Sequence, residues 1–322
     1  MYDVITIGAA TQDVFLESDG FHVMRDTKRA RSMECFPLGE KIAVARIMFA
    51  TGGGATNAAA TFRNLGFKAA PIVRTGDDPA GEFIRKDLAA RGIPRRFVRT
   101  TRIGTSGYAA ILLTPHGDRT ALVHRGVSGS FSARDIPWGE LRARWLFITS
   151  LNGNLPLLQR LFRTACQRNI SIAFNPGVQE LRTGLSEVGR YCGSAHVLII
   201  NRSEAALLSG SRELSAIRRR LDPHFRASVV VTDGARGAYY WDQTRKFFAK
   251  PFPVKVANTT GAGDAFGAGF ISGILRWRDP IAALKLATLN ALGTIQEMGA
   301  KRGLLDTWPS EKELRRVRVI RE

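Results

Sequence analysis

The stretch Asn258-Thr259-Thr260-Gly261-Ala262-Gly263-Asp264 carries the most specific chemistry in the chain. An apolar, strand-prone segment, 252–257, precedes it. A run of small and apolar residues at helical spacing, Ala262–Trp277, follows. Glycines at a loop-to-helix junction let backbone N–H groups face outward with no Cβ in the way. The helix start adds a partial positive charge, so such a turn suits an anion. Asp264 sits inside that anion site. A carboxylate there can take a proton from a hydroxyl that attacks a phosphoryl group. Its simpler role is to cap the helix.

Four further groups of polar residues stand out. Gly8 to Asp13 ends a first apolar run, 4–7. The carboxylate of Asp13 could accept two hydrogen bonds from a vicinal diol, although a loop aspartate is the plainer reading. Gly52-Gly53-Gly54-Ala55-Thr56-Asn57 opens a helix-like segment and permits close approach of a ligand to the backbone. Asn201-Arg202-Ser203-Glu204 has the spacing of a capping box. Its two oxygen donors would also serve magnesium, which keeps most of its waters. Val231 to Gly237 reads as a glycine-rich turn after a strand. The chain has no G-x-x-x-x-G-K phosphate loop.

These residues need a scaffold that brings distant segments together. From 145 onward, apolar runs at 145–149, 170–174, 197–200 and 229–232 alternate with helical stretches at Leu155–Gln167, 204–208 and Leu214–Leu221. That rhythm predicts a mostly parallel sheet covered on both faces, a three-layer α/β/α arrangement. Ligands then gather at the C-terminal strand ends, where Asp13, Asn175, Asn201 and Thr232 fall. Earlier segments break the rhythm. Strand-like pieces at 14–16 and 42–49, then 105–114 and Arg119–His124 joined by Pro115-His116-Gly117-Asp118, predict a small β-sheet lid within about 14–50 and 95–125. In 42–49 both alternating faces are apolar, which predicts cover by a second copy and a homodimer through the lid. No repeat or linker divides residues 1–322, so one domain with a lid is expected.

The 322 residues are 44% apolar, enough for a sizeable core. No apolar run is long enough to span a bilayer, and no basic leader precedes the first strand. Cys35, Cys166 and Cys192 lack metal-type spacing and fit a reducing cytoplasm. The net charge of +19 raises the question of nucleic acid. The arginines are dispersed and no nucleic-acid motif accompanies them; a basic proteome or attraction of an anionic substrate such as ATP would account for the charge as well.

The stretch 258–264 resembles the D-T-x-G-A-G-D signature of the ribokinase-like (PfkB) carbohydrate kinases, with Asn258 in place of the usual Asp. The Gly52–Asn57 block is similar to that family's G-G-x-x-x-N, the Asn201–Glu204 block to its N-x-x-E, and Val231–Gly237 to its V-T-x-G-x-x-G. All occur in the family's order and cover most of the chain. The resemblance implies a ribokinase-like fold and an ATP-dependent sugar kinase using Mg2+. It makes Asp264 the base and Gly261, Ala262 and Gly263 the anion hole. Asp13, Gly53 and Asn57 would hold the acceptor, and Asn201 and Glu204 the metal. Thr232, Gly234, Gly237 and Asn290 would line the nucleotide side. Asn258, with Gly303 after the late Gly299-Ala300 turn, implies weak response to potassium. A nucleoside kinase of the same fold is the alternative. A dehydrogenase reading of Gly261, Gly263 and Gly267 needs a strand where 279–296 reads as a helix. A basic nucleic-acid-binding protein without catalysis rests on charge alone.

Overall fold

In the computed structural model, which describes residues 1–26, 31–114, 119–225 and 228–322, the first strand already sets the layered plan. β1 (Tyr2–Ile7) turns Ile5 and Ile7 toward one apolar core and Val4 toward another. β2 (Thr11–Glu17), the hairpin β3 (His22–Asp26) and β4 (Arg31–Cys35), and β5 (Arg46–Gly52) follow. Then come α1 (Gly54–Asn64), β6 (Ala69–Gly76), α2 (Pro79–Ala90) and β7 (Val98–Thr101). β8 (Gly107–Leu113) and β9 (Arg119–His124) form an antiparallel pair. Alternation resumes with β10 (Ala143–Thr149), α3 (Leu155–Gln167), β11 (Ser171–Asn175), α4 (Val178–Leu181) and α5 (Leu185–Cys192). β12 (Val197–Asn201), α6 (Arg202–Ser209), α7 (Leu214–Leu221) and β13 (Ser228–Thr232) continue it. β14 (Ala238–Trp241), β15 (Lys246–Lys250), α8 (Ala262–Trp277), α9 (Pro280–Ile295), α10 (Glu311–Arg316) and β16 (Arg318–Arg321) complete the chain.

Ten strands make the central sheet, in the order β16-β15-β14-β13-β12-β11-β10-β1-β6-β7. Pairing is parallel from β7 across to β13 and antiparallel from β13 to β16. On one face, Leu158, Leu161 and Phe162 of α3 pack with Ile217 and Leu221 of α7 against Leu146, Ile148 and Phe174. On the other, Phe62 of α1, Phe266 and Phe270 of α8 and Leu284 of α9 cover Phe147, Ile199 and Val230. Strands covered on both sides must be apolar throughout, as 197–200 and 229–231 are.

The smaller sheet has the order β5-β2-β8-β9. Phe15, Ala109, Ile111 and Leu113 form its inner apolar face, with Met48, Ala50 and Met298 packed against them. Its outer face exposes Ile47, Phe49 and Leu122, each more than half accessible.

Four expectations change. Asp13 lies within β2, paired with Ala50 and Ala109, rather than in a loop after β1. Residues 42–45 are not strand: the Ser18 hydroxyl donates to Ala43 O and Ala45 N–H to Glu17 O, which hold this segment as a turn beside β2. β7, within the expected lid range, joins the edge of the central sheet beside β6. Residues 252–257 form no strand, because the Ala257 and Asn258 N–H groups both donate to Ile295 O at the end of α9. The turn 115–118 lies outside the described residues. The helix expected over 279–296 is present as α9, which removes the strand a dehydrogenase needs.

Candidate active site

Gly261 is the N-cap of α8 and has φ +80°. A Cβ there would stand 2.5 Å from Ala300 Cβ, so glycine is required both for the turn and for the Gly299-Ala300 segment packed on it. Ala262, Gly263 and Asp264 occupy the first turn, whose N–H groups lack intrahelical acceptors. The Ala262 N–H reaches Thr259 O at only 3.4 Å. A Cβ built on Gly263 would meet no atom within 4 Å, so the turn opens onto free space.

Asp264 accepts a hydrogen bond from Asn57 Nδ2, 2.9 Å from its Oδ2. Asn57 is buried on α1, and its Oδ1 is buried with no partner. Gly53, the N-cap of that helix, has φ +94°, and a Cβ would fall 2.4 Å from Ala9 O. This close approach carries α1 against the start of β2, which brings Asp13 and Asn57 to one place. Burial raises the Asp264 carboxyl above the ordinary range, against the Asn57 hydrogen bond and the charge of Lys301. Asp13 is raised for the same reason and is held in part by the Thr11 hydroxyl, 2.7 Å from its Oδ1.

Asn201 and Thr232 are register partners at the C-terminal ends of β12 and β13. Asn201 Oδ1 accepts from Glu204 N–H and Glu204 Oε2 from Asn201 N–H, both at 2.9 Å. The capping box is therefore formed. Burial, with the charge of Asp264, raises the Glu204 carboxyl. A carboxylate kept close to another, with a second oxygen outside the box, suits a hydrated magnesium ion. Among the described residues no cluster of three acidic, His or Cys side chains offers a denser metal site. Gly234 and Gly237 close a tight loop through Asp233 N–H to Gly237 O at 2.7 Å. An open cavity of about 800 Å³ lies beside this loop, lined by Arg202, Ser203, Asp233, Arg236 and Tyr239 among others.

Asn290 does not belong with the nucleotide group. It is fully buried, and its Nδ2 donates to Ala265 O at 2.8 Å and Thr61 Oγ1 at 3.2 Å. Its Oδ1 accepts from Leu305 N–H at 2.9 Å. All its polar atoms join α9 to α1, α8 and the following segment, so none faces a ligand. Asn175 is structural too, donating to Ile199 O at 2.8 Å.

Two basic residues escaped the sequence reading. Arg119 of β9 donates to Asn258 Oδ1 at 3.0 Å and to the Thr260 hydroxyl, linking the small sheet to the glycine turn. Its alternation with Ala121 and Val123, partners of inward Ile111 and Ala109, was the available signal. Lys301 is buried behind Asp13, with nothing in its local sequence to mark it.

A family model described as pfkB family carbohydrate kinase matches residues 1–308. The chain belongs to the pfkB family of carbohydrate kinases. It is therefore a phosphotransferase with a hydroxyl acceptor. This kinase is 31% identical over 246 residues to an ATP-dependent ribose-1-phosphate kinase of Halopiger xanaduensis, covering 76% of the chain and 79% of that protein. It is 30% identical over 243 residues to an uncharacterized sugar kinase of Archaeoglobus fulgidus, covering 74% and 96%. A solved putative ribokinase from Agrobacterium tumefaciens superposes with a TM-score of 0.80 at 18% identity, covering 98% of the kinase and 96% of that chain. The Methanocaldococcus jannaschii nucleoside kinase gives 0.76 at 19%, covering 98% of each. The fold is ribokinase-like.

Proposed function

We propose that this kinase transfers the γ-phosphoryl group of MgATP to a hydroxyl of a small carbohydrate, with Asp264 as the general base. The observation that carries this reading is Asp264 itself, in the first turn of α8, beside an open anion turn and held by Asn57. A carboxyl raised by burial is a stronger base than an ordinary one. The N–H groups of Gly261, Ala262 and Gly263 would carry charge on the transferring phosphoryl group. Asp13, Gly53 and Asn57 would hold the acceptor, with Asn57 Oδ1 free to accept a hydrogen bond from one of its hydroxyls. Thr232, Gly234 and Gly237 would line the nucleotide side. Asn201 and Glu204 would hold magnesium, which supplies neutralising charge to the phosphates when bound.

The four-stranded sheet acts in this reading as a lid, latched to the glycine turn by Arg119. Its exposed outer apolar side chains support a homodimer through the lids. No described helix is long and apolar enough to cross a membrane, and the three cysteines are free, which supports a cytoplasmic location.

A nucleoside acceptor is the second reading. Val123 shares the Asp13 face of the small sheet through Ala109 and is 57% exposed, an apolar surface that a base could cover. The test is ADP release from MgATP with a panel of sugars, sugar phosphates, including ribose 1-phosphate, and nucleosides. Turnover of a free or phosphorylated sugar supports the first reading. Turnover of nucleosides alone selects the second, and no turnover of any acceptor overturns both.

A further inference from the structure

Lys301 follows the Gly299-Ala300 segment that packs on Gly261, and its side chain is only 2% exposed. An ammonium so deep is costly unless its charge is used. Its Nζ donates to Thr51 Oγ1 at 2.8 Å, and that hydroxyl donates on to Asp87 Oδ2 at 2.5 Å. Asp87 Oδ2 is also 3.9 Å from Nζ. Asp87 has a closer cation, however: Arg91 Nε donates to its Oδ1 at 2.9 Å, and Arg91 Nη1 reaches back to Lys301 O at 3.5 Å. Arg91 balances Asp87, and Lys86 pairs with the other acid of α2, Glu82, so the ammonium is surplus there.

The other carboxylates around it are short of positive charge. Asp13 lies one residue along the sheet, since it pairs with Ala50 and Gln12 pairs with Thr51. Among the described residues, Asp13 has a hydrogen bond from the Thr11 hydroxyl, and Asp264 one from the Asn57 amide. Both donors are neutral. Neither carboxylate has a basic side chain within ion-pair distance among the described residues.

We propose that Lys301 is a positioning residue, a built-in cation behind the acceptor site that keeps Asp13 and Asp264 ionised. It rests on the kinase reading of Asp264. The charged groups facing it are Asp13 from β2, Asp87 from α2 with Arg91 at its C-cap, and Asp264 from α8; Glu204 of α6 adds negative charge near Asp264. Lys301 lowers both acceptor-site carboxyls against their burial, and burial lowers its own value to about 8.

The test is the pH profile of kcat/KM for the wild type, Lys301→Met and Lys301→Arg, with an acceptor found in the panel. In Lys301→Met the acid limb should move to higher pH by about one unit, roughly a tenfold loss below the limb. Activity should largely recover on the alkaline plateau. Lys301→Arg keeps a charge that does not titrate, so its acid limb should stay near that of the wild type. A Lys301→Met limb that does not move, or an equal loss at every pH, overturns the proposal.

A second readout needs neither turnover nor the Met variant. The lysine 13Cε signal of Lys301 in the wild-type protein, assigned by its loss in Lys301→Arg, should titrate near pH 8. It should also shift as the carboxylates protonate, and that acid shift should shrink in Asp264→Asn. An ordinary lysine titration with no acid shift overturns the proposal. If no acceptor is turned over, the kinase reading falls by itself and this signal still decides the role of Lys301.

Discussion

Asn57 and Asp264, on α1 and α8, meet through a single hydrogen bond of 2.9 Å. The amide donates to Oδ2, one of the two carboxylate oxygens. In the proposed reading, the acceptor and phosphoryl sites share the Asp264 side chain.

Replacing Asp264 by Asn should remove the base and keep the shape. The expected fall in kcat is about 10²–10⁴-fold. Burial makes the native carboxylate costly, so the variant should also melt at a higher temperature than the wild type. Paired kcat and thermal melting measurements check both. A near-normal kcat removes Asp264 from the chemistry.

Glu204→Gln should separate metal from cap. Glutamine can still accept from Asn201 N–H, so the start of α6 should persist. The missing charge should raise the magnesium concentration for half-maximal activity and lower kcat, with melting little changed. An unfolded variant with unchanged magnesium dependence would make Glu204 a cap only.

Asn290→Ala should damage the fold rather than nucleotide use. It orphans the Leu305 N–H and opens a void between α1, α8 and α9. The cost should be about 2–5 kcal/mol in urea unfolding. KM for ATP should stay near the wild-type value. A large rise in that KM with unchanged stability would return Asn290 to the nucleotide site.

Ile47→Lys with Phe49→Lys places two charges on the outer lid face without touching the inner one. Sedimentation should show dimers for the wild type and monomers for the variant, with weaker acceptor binding. A wild type that is monomeric at micromolar concentration refutes the lid dimer.

Periodicity located the elements that repeat. Leu155–Gln167, Leu214–Leu221 and Ala262–Trp277 have the bounds their apolar spacing predicts. It failed at 252–257, where the end of an apolar segment, the Ala257 N–H, donates to a helix end instead of a neighbouring strand. Local pattern cannot foresee that, because the acceptor lies beyond α8 in the chain. The candidate site was legible where backbone geometry fixes residue type, as at Gly53 and Gly261. It was not legible at Lys301 and Arg119, which reach their partners through tertiary closure. Asn290 was misassigned because an amide that joins three segments and an amide that reads a base look alike in sequence.

β1 lies between β6 and β10, so the first strand made must wait for residues 143–149 before both its edges are paired. The four strands of the small sheet are complete by residue 124, while Met298, which packs on their inner face, comes far later in the chain. A nascent chain therefore carries a finished small sheet whose inner apolar face still lacks Met298 and whose outer face exposes Ile47, Phe49 and Leu122, a surface open to chaperones. The contact of Ala300 with Gly261 forms later still. A chain cut short by premature termination before that point has all four strands of the small sheet but lacks the segment that packs on the Gly261 turn.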